Sequence, residues 1–158
     1  MGECDLFNLF LIVHIITGSI CLISGLSAMT ARKKRGRHTI SGDIYHGSYV
    51  VVLVTSIAMA VLHWEESAHL FYIALFSYGL AFTGYLAVKM RWSNWLSFHL
   101  SGMAGSYIGI VTAVIITNIS GIPVLNALPE LWYWFLPTII GTPLIIMTSR
   151  KYTSPKVR

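Results

Sequence analysis

Five long apolar runs, separated by short polar stretches, set the pattern of this chain. They fall at about 6–29, 46–64, 69–88, 95–119 and 131–148, and none contains Asp, Glu, Lys or Arg. Each is close to the length of about 20 apolar residues that a helix needs to cross the hydrocarbon of a bilayer. The runs are continuously apolar rather than alternating, which predicts helices and not the strands of a barrel. The expected fold is an all-α integral membrane protein, a single domain of five transmembrane helices over 1–158. Short connections make consecutive helices antiparallel neighbours.

Composition strengthens this pattern. Of 158 residues, 55% are hydrophobic and 11% charged, against about a quarter charged in a soluble domain. The mean hydropathy is +0.68. A net charge of +5 on a soluble surface points to nucleic acid. Here the cations sit in the connections instead, and no nucleic-acid partner is expected.

The placement of charge gives an orientation. All eleven Lys and Arg lie in three places: Arg32, Lys33, Lys34, Arg35 and Arg37; Lys89 and Arg91; Arg150, Lys151, Lys156 and Arg158. Five spans put all three on one side. Glu3, Asp5, Glu65, Glu66 and Glu130 fall on the other. The positive-inside rule then places the N-terminus outside and the C-terminus in the cytoplasm. Trp64, Trp92, Trp95, Trp132 and Trp134 sit at predicted helix ends, where an amphipathic ring is favoured. The acidic Glu3 and Asp5 do not suit a secretory signal, and Leu6 stands where a myristoylation motif needs Ser or Thr. The basic stretch 31–37 is expected to rest on anionic lipid headgroups. Ser41 and Asp43 suit the start of the second helix.

Packing faces come next. His14, Gly18, Cys21 and Gly25 form one row of small or polar residues, and Ser101, Gly105, Gly109 and Ala113 form another. Such rows let membrane helices approach closely. Pro137 and Pro143 predict a bend in the last helix. Cys4 and Cys21 lie too far apart along one helix to form a disulfide.

Six histidines carry the candidate chemistry. An ionisable residue inside a membrane is costly and so suggests function. Paired axial ligation of haem b fits histidines on facing helices. His46 and His99 both fall near the cytoplasmic side, and Met103 is a further soft ligand one turn on. His14 lies deeper from the opposite side, while His63 and His69 flank an outer loop. The same residues suit a quinone or proton site, or interhelical hydrogen bonds. Zinc prefers three or four clustered ligands, and no HxxxH or CxxC occurs. No phosphate loop or nucleophile elbow is present, so enzyme chemistry is not indicated. The lack of charge within the spans disfavours an ion-coupled transporter.

The runs HIITGSICLISGLSA and GRHTISGDIYHGSYV, followed by HLSGMAGSYIGIVTAVIITN and LPELWYWFLPTIIGTPLI, resemble a bacterial family of small multi-pass membrane proteins defined as a domain of unknown function. The matching positions are His14, Gly18 and Gly25, then His38, Gly42 and Tyr45. Beyond them come His99, Met103, Gly105, Ser106, Tyr107, Thr112, Ala113 and Asn118, then Leu128, Pro129, Trp134, Pro137, Gly141 and Pro143. The resemblance covers about residues 10–147. It implies an integral bacterial membrane protein and draws His14, His38 and His99 together as one set, without His46. The expected function is a non-enzymatic or accessory membrane protein, alone, as a homo-oligomer or with other membrane subunits. The alternatives are a haem- or quinone-binding redox protein and a small-molecule permease.

Overall fold

A computed structural model describes residues 2–32, 36–121 and 129–153. Lys33, Lys34, Arg35, Leu128, Lys156 and Arg158 lie outside the described residues. The described residues are helical, with no strand among them. Five helices follow in order: α1 Glu3–Thr30, α2 Arg37–Leu62, α3 Trp64–Lys89, α4 Trp95–Thr117 and α5 Glu130–Thr153. A 3₁₀ turn, Ile119–Gly121, follows α4. All five helices are long and apolar enough to cross a membrane.

Four of the five helices are longer than the apolar runs, chiefly at the start of α2, the start of α3 and the end of α5, while α4 ends two residues before its run does. Helix α2 begins at Arg37 rather than near residue 46, so His38, Ser41 and Tyr45 belong to a helix rather than a loop. Its N-cap is Gly36, at φ 120, without a side-chain cap bond. Ser41 is therefore not a cap. It is buried inside α2. Helix α3 begins at Trp64, so the WEESA stretch is helical, and His63 alone joins it to α2. Hydropathy marks where side chains stop being apolar. Backbone hydrogen bonding continues past that point, because each further turn satisfies more N–H and C=O groups.

The chain divides into two compact units, Met1–Tyr78 and Gly79–Arg158, with the boundary inside α3. In the first unit α1 packs along α2. The α1 side facing away from this contact carries Ile12, Ile16, Ile23 and Leu26, all exposed, with Ile23 at 71%. An apolar outer surface with a smaller, more polar inner one inverts the pattern of a water-soluble bundle and suits hydrocarbon surroundings.

In the second unit α4 packs against α5 and against the last turns of α3. The residues of α4 that reach full burial include Gly102, Ser106 and Ile110. This is the row next to the expected one, since Ser101 is exposed. Both rows carry small residues at four-residue spacing, so composition alone does not choose between them. The contact with α3 does. A Cβ built on Gly102 meets the Leu80 carbonyl oxygen at 2.6 Å and the Gly84 backbone at 2.9 Å. Only hydrogen at both Gly84 and Gly102 permits that approach.

Candidate functional site: the polar seams between helices

The α1–α2 seam is built from residues seven apart on α1. Phe7 meets His63 edge to face, with ring centroids 4.6 Å apart. His14 Nδ1 lies 2.9 Å from Thr55 Oγ1. The Cys21 thiol donates to the Tyr45 carbonyl at 3.5 Å. His38 Nδ1 lies 2.8 Å from the carbonyl of Ala28. Between the last two, Ser27 and Ser41 hydroxyls pair at 3.1 Å. A seven-residue period keeps one stripe of a helix facing a left-handed antiparallel partner. The partner positions run 63, 55, 45, 41 and 38, descending as those on α1 rise.

Each histidine bond fixes a tautomer. A carbonyl oxygen only accepts, so Nδ1 of His38 carries the hydrogen. The Thr55 hydroxyl donates to Val51 and Val52 carbonyls at 2.9 and 3.0 Å, so His14 Nδ1–H donates to Thr55. His99 in the second unit repeats the arrangement, with Nδ1 3.2 Å from the Gly84 carbonyl of α3. All three histidines that the resemblance draws together thus donate from Nδ1 to a neighbouring helix. In the neutral ring this leaves Nε2 as the unprotonated nitrogen.

Beside the seam, α2 and α3 hold an aromatic cluster. Tyr45 and Tyr49 contact edge to face at 5.5 Å, and Tyr49 meets Tyr78 at 5.6 Å. His46 stacks on Tyr78 at 5.9 Å, with ring planes 24° apart. The Tyr49 hydroxyl is hydrogen-bonded to Ser77. Ser77 in turn donates to Ile73 at 2.5 Å, which makes Tyr49 the donor to Ser77. Cys21, at 0% exposure, and Tyr49, at 1%, are among the most enclosed side chains of the protein.

Within the first unit, His14, His46 and His38 do not meet in one centre. Cys21 touches Tyr45, so His46 lies level with Cys21. That is seven residues from His14 on α1, or about 10 Å along the axis. His38 pairs with Ala28, fourteen residues from His14, or about 21 Å. His99 and Met103 belong to the second unit, where Met103 lies against Gly84. His63, the C-cap of α2, and His69, near the start of α3, are exposed. Among the described residues, no three of His, Cys, Asp and Glu could share a metal ion.

Sequence reasoning passed over Thr55, Tyr49, Ser77, Tyr78, Gly84 and Gly102. The seven-residue series Phe7, His14, Cys21 and Ala28 was the available signal for the first seam. Gly18, expected on the packing row of the first helix, has nothing within 4 Å of an added Cβ. Gly25, also expected there, is buried. With this geometry in place, the chain was compared with known proteins: no protein-family model, no curated protein and no solved structure matches it.

Proposed function

We propose that this chain is a non-enzymatic, multi-pass protein of the bacterial cytoplasmic membrane, serving as an accessory subunit whose histidines fasten its helices. The N-terminus lies outside and the C-terminus in the cytoplasm. One observation carries this reading: His14, His38 and His99 each place their Nδ1–H on an oxygen of the adjacent helix. In a bundle surrounded by lipid, such bonds and close packing replace the hydrophobic drive of a soluble core. Orientation rests on the one-sided cations.

Single-cysteine labelling in whole cells tests the orientation. In a Cys4→Ser, Cys21→Ala background, Ser67→Cys should react with a membrane-impermeant maleimide, whereas Ser93→Cys should react only after permeabilisation. The reverse pattern would overturn the orientation. Recovery of the chain in the soluble fraction would overturn the membrane reading itself.

A second reading keeps haem b or a quinone as a ligand. It is supported by the same bonds, because an outer oxygen that holds Nδ1–H is the usual companion of an Nε2 ligand. His14, His38 or His99 would each offer that nitrogen, and Met103 would offer a thioether in place of His99. Purified protein from haem-replete cells should then show a Soret band that sharpens on dithionite reduction. A colourless preparation removes this reading.

A further inference from the structure

Among the described residues, the second unit carries its Lys and Arg at one end. Helix α3 closes at Lys89 in a Schellman-type turn, with Trp92 N–H bonded to the Ala87 carbonyl at 3.2 Å and Arg91 N–H to Val88 at 3.4 Å. Arg91 sits at φ 51, the single positive-φ position other than glycine among the described residues. Glycine is the usual occupant of that position, because a side chain there crowds its own backbone.

Helix α5 brings two more cations to the same end. A Cβ on Gly141 would collide with Ile108, which places those two residues level. Ten residues further along antiparallel helices, Lys151 is level with Phe98, in the first turn of α4. Arg150 and Lys151 form the basic last turn of α5. Lys89, Arg91, Arg150 and Lys151 are all exposed. Lys89 lies over the Tyr85 ring at 5.3 Å and Lys151 over Tyr152 at 5.9 Å. From residue 79 to 158 the sequence holds one carboxylate, Glu130, at the opposite end of α5.

We infer that this end of the second unit, formed by the α3–α4 turn and the last turn of α5, binds the phosphate headgroup of an anionic phospholipid. Four exposed cations from two segments share this end, and the one Asp or Glu side chain of their unit lies at the other end of α5, which leaves a strongly positive surface. The ligand chemistry is a phosphodiester, and a headgroup with two phosphodiesters matches four cations better than one with a single charge. Trp92 and Trp95 flank the turn, and Trp95 is 43% exposed. Indole rings favour the headgroup layer, which selects a lipid over a free phosphate ion. This inference rests on the membrane reading above and on residues distinct from the basic stretch at 31–37.

The strained arginine supplies the test. Arg91→Gly removes a cation and relieves the backbone, so it should preserve or raise stability while weakening lipid binding. The full chain is reconstituted in nanodiscs of phosphatidylcholine alone, with phosphatidylglycerol, or with a lipid carrying two phosphodiesters, and retained lipid is counted by native mass spectrometry. Enrichment should rise in that order. Each cation removed, by Arg91→Gly or by Arg150→Gln with Lys151→Gln, should reduce the enrichment by about five-fold. Equal retention of all lipids, or an Arg91→Gly variant that retains lipid as the parent does, overturns the inference. Competition by inorganic pyrophosphate at the same phosphate concentration overturns the choice of a lipid. Failure of the membrane reading has a separate signature, since the chain would then be soluble without detergent.

Discussion

Replacing Gly102 by alanine adds one methyl group where α3 and α4 cross. The new Cβ would stand 2.6 Å from the Leu80 carbonyl oxygen and 2.9 Å from Gly84 N and Cα, while ordinary contact begins at 3.4 Å. All three neighbours are backbone atoms, so no rotamer change relieves the overlap. The helices must separate by about 0.8 Å. The His99 Nδ1 to Gly84 oxygen distance of 3.2 Å would then lengthen beyond hydrogen-bond range. Overpacking of this kind costs about 1–3 kcal/mol, and an interhelical bond contributes about 0.6 kcal/mol on average, up to about 1.7. The expected loss is about 2–4 kcal/mol. It is measured as reversible unfolding in mixed micelles against the parent protein. A Gly102→Ala variant within about 0.5 kcal/mol of the parent would refute the close crossing. So would equal sensitivity at Gly47 and Gly79, which have nothing within 4 Å of an added Cβ.

Three further outcomes follow from the same geometry. Gly47→Ala and Gly79→Ala should be neutral or stabilise by up to about 1 kcal/mol, because alanine favours helix and nothing is displaced; thermal denaturation checks this. In a double-mutant cycle His14→Ala with Thr55→Val should show coupling of about 0.6–1.7 kcal/mol, and additive effects would mean that the 2.9 Å bond contributes nothing. Gly141→Ala should destabilise less than Gly102→Ala, since its Cβ meets only side-chain atoms of Ile108. Adding Ile108→Ala should restore most of that loss, read from unfolding midpoints.

The existence and number of the helices were legible because continuous apolar runs have one solution in hydrocarbon. The start of α2 was not. Residues 37–45 read RHTISGDIY, which is polar by hydropathy, yet their backbone is helical as far as the positive-φ Gly36. The choice between the Ser101 and Gly102 rows was also illegible, because it depends on which face α3 meets. Thr55 gave no signal, as one β-branched hydroxyl among valines looks like any apolar helix position. Its role appears only when α1 delivers His14 opposite. Which oxygens His14, His38 and His99 meet was not legible, because residue spacing says nothing about which helices become neighbours.

The His14 and His99 bonds separate fastening from ligation by physical means. Both readings need Nδ1–H on an oxygen, so the bond itself does not discriminate between them. Position does. A haem between two histidines requires them at one depth on facing helices, whereas within the first unit His14, His46 and His38 stand at three successive levels, about 10 Å apart. A staggered series is what fastening requires, because donors at different heights resist sliding and splaying of α1 against α2 together. The heptad spacing of Phe7, His14, Cys21 and Ala28 gives the same result, placing one contact at each second turn along the seam. If loss of His14 and loss of His38 weaken the seam to similar extents at opposite ends, the histidines act as distributed fasteners. If one of them can be removed with no change in unfolding yet abolishes a cellular phenotype, its Nε2 has the more important task.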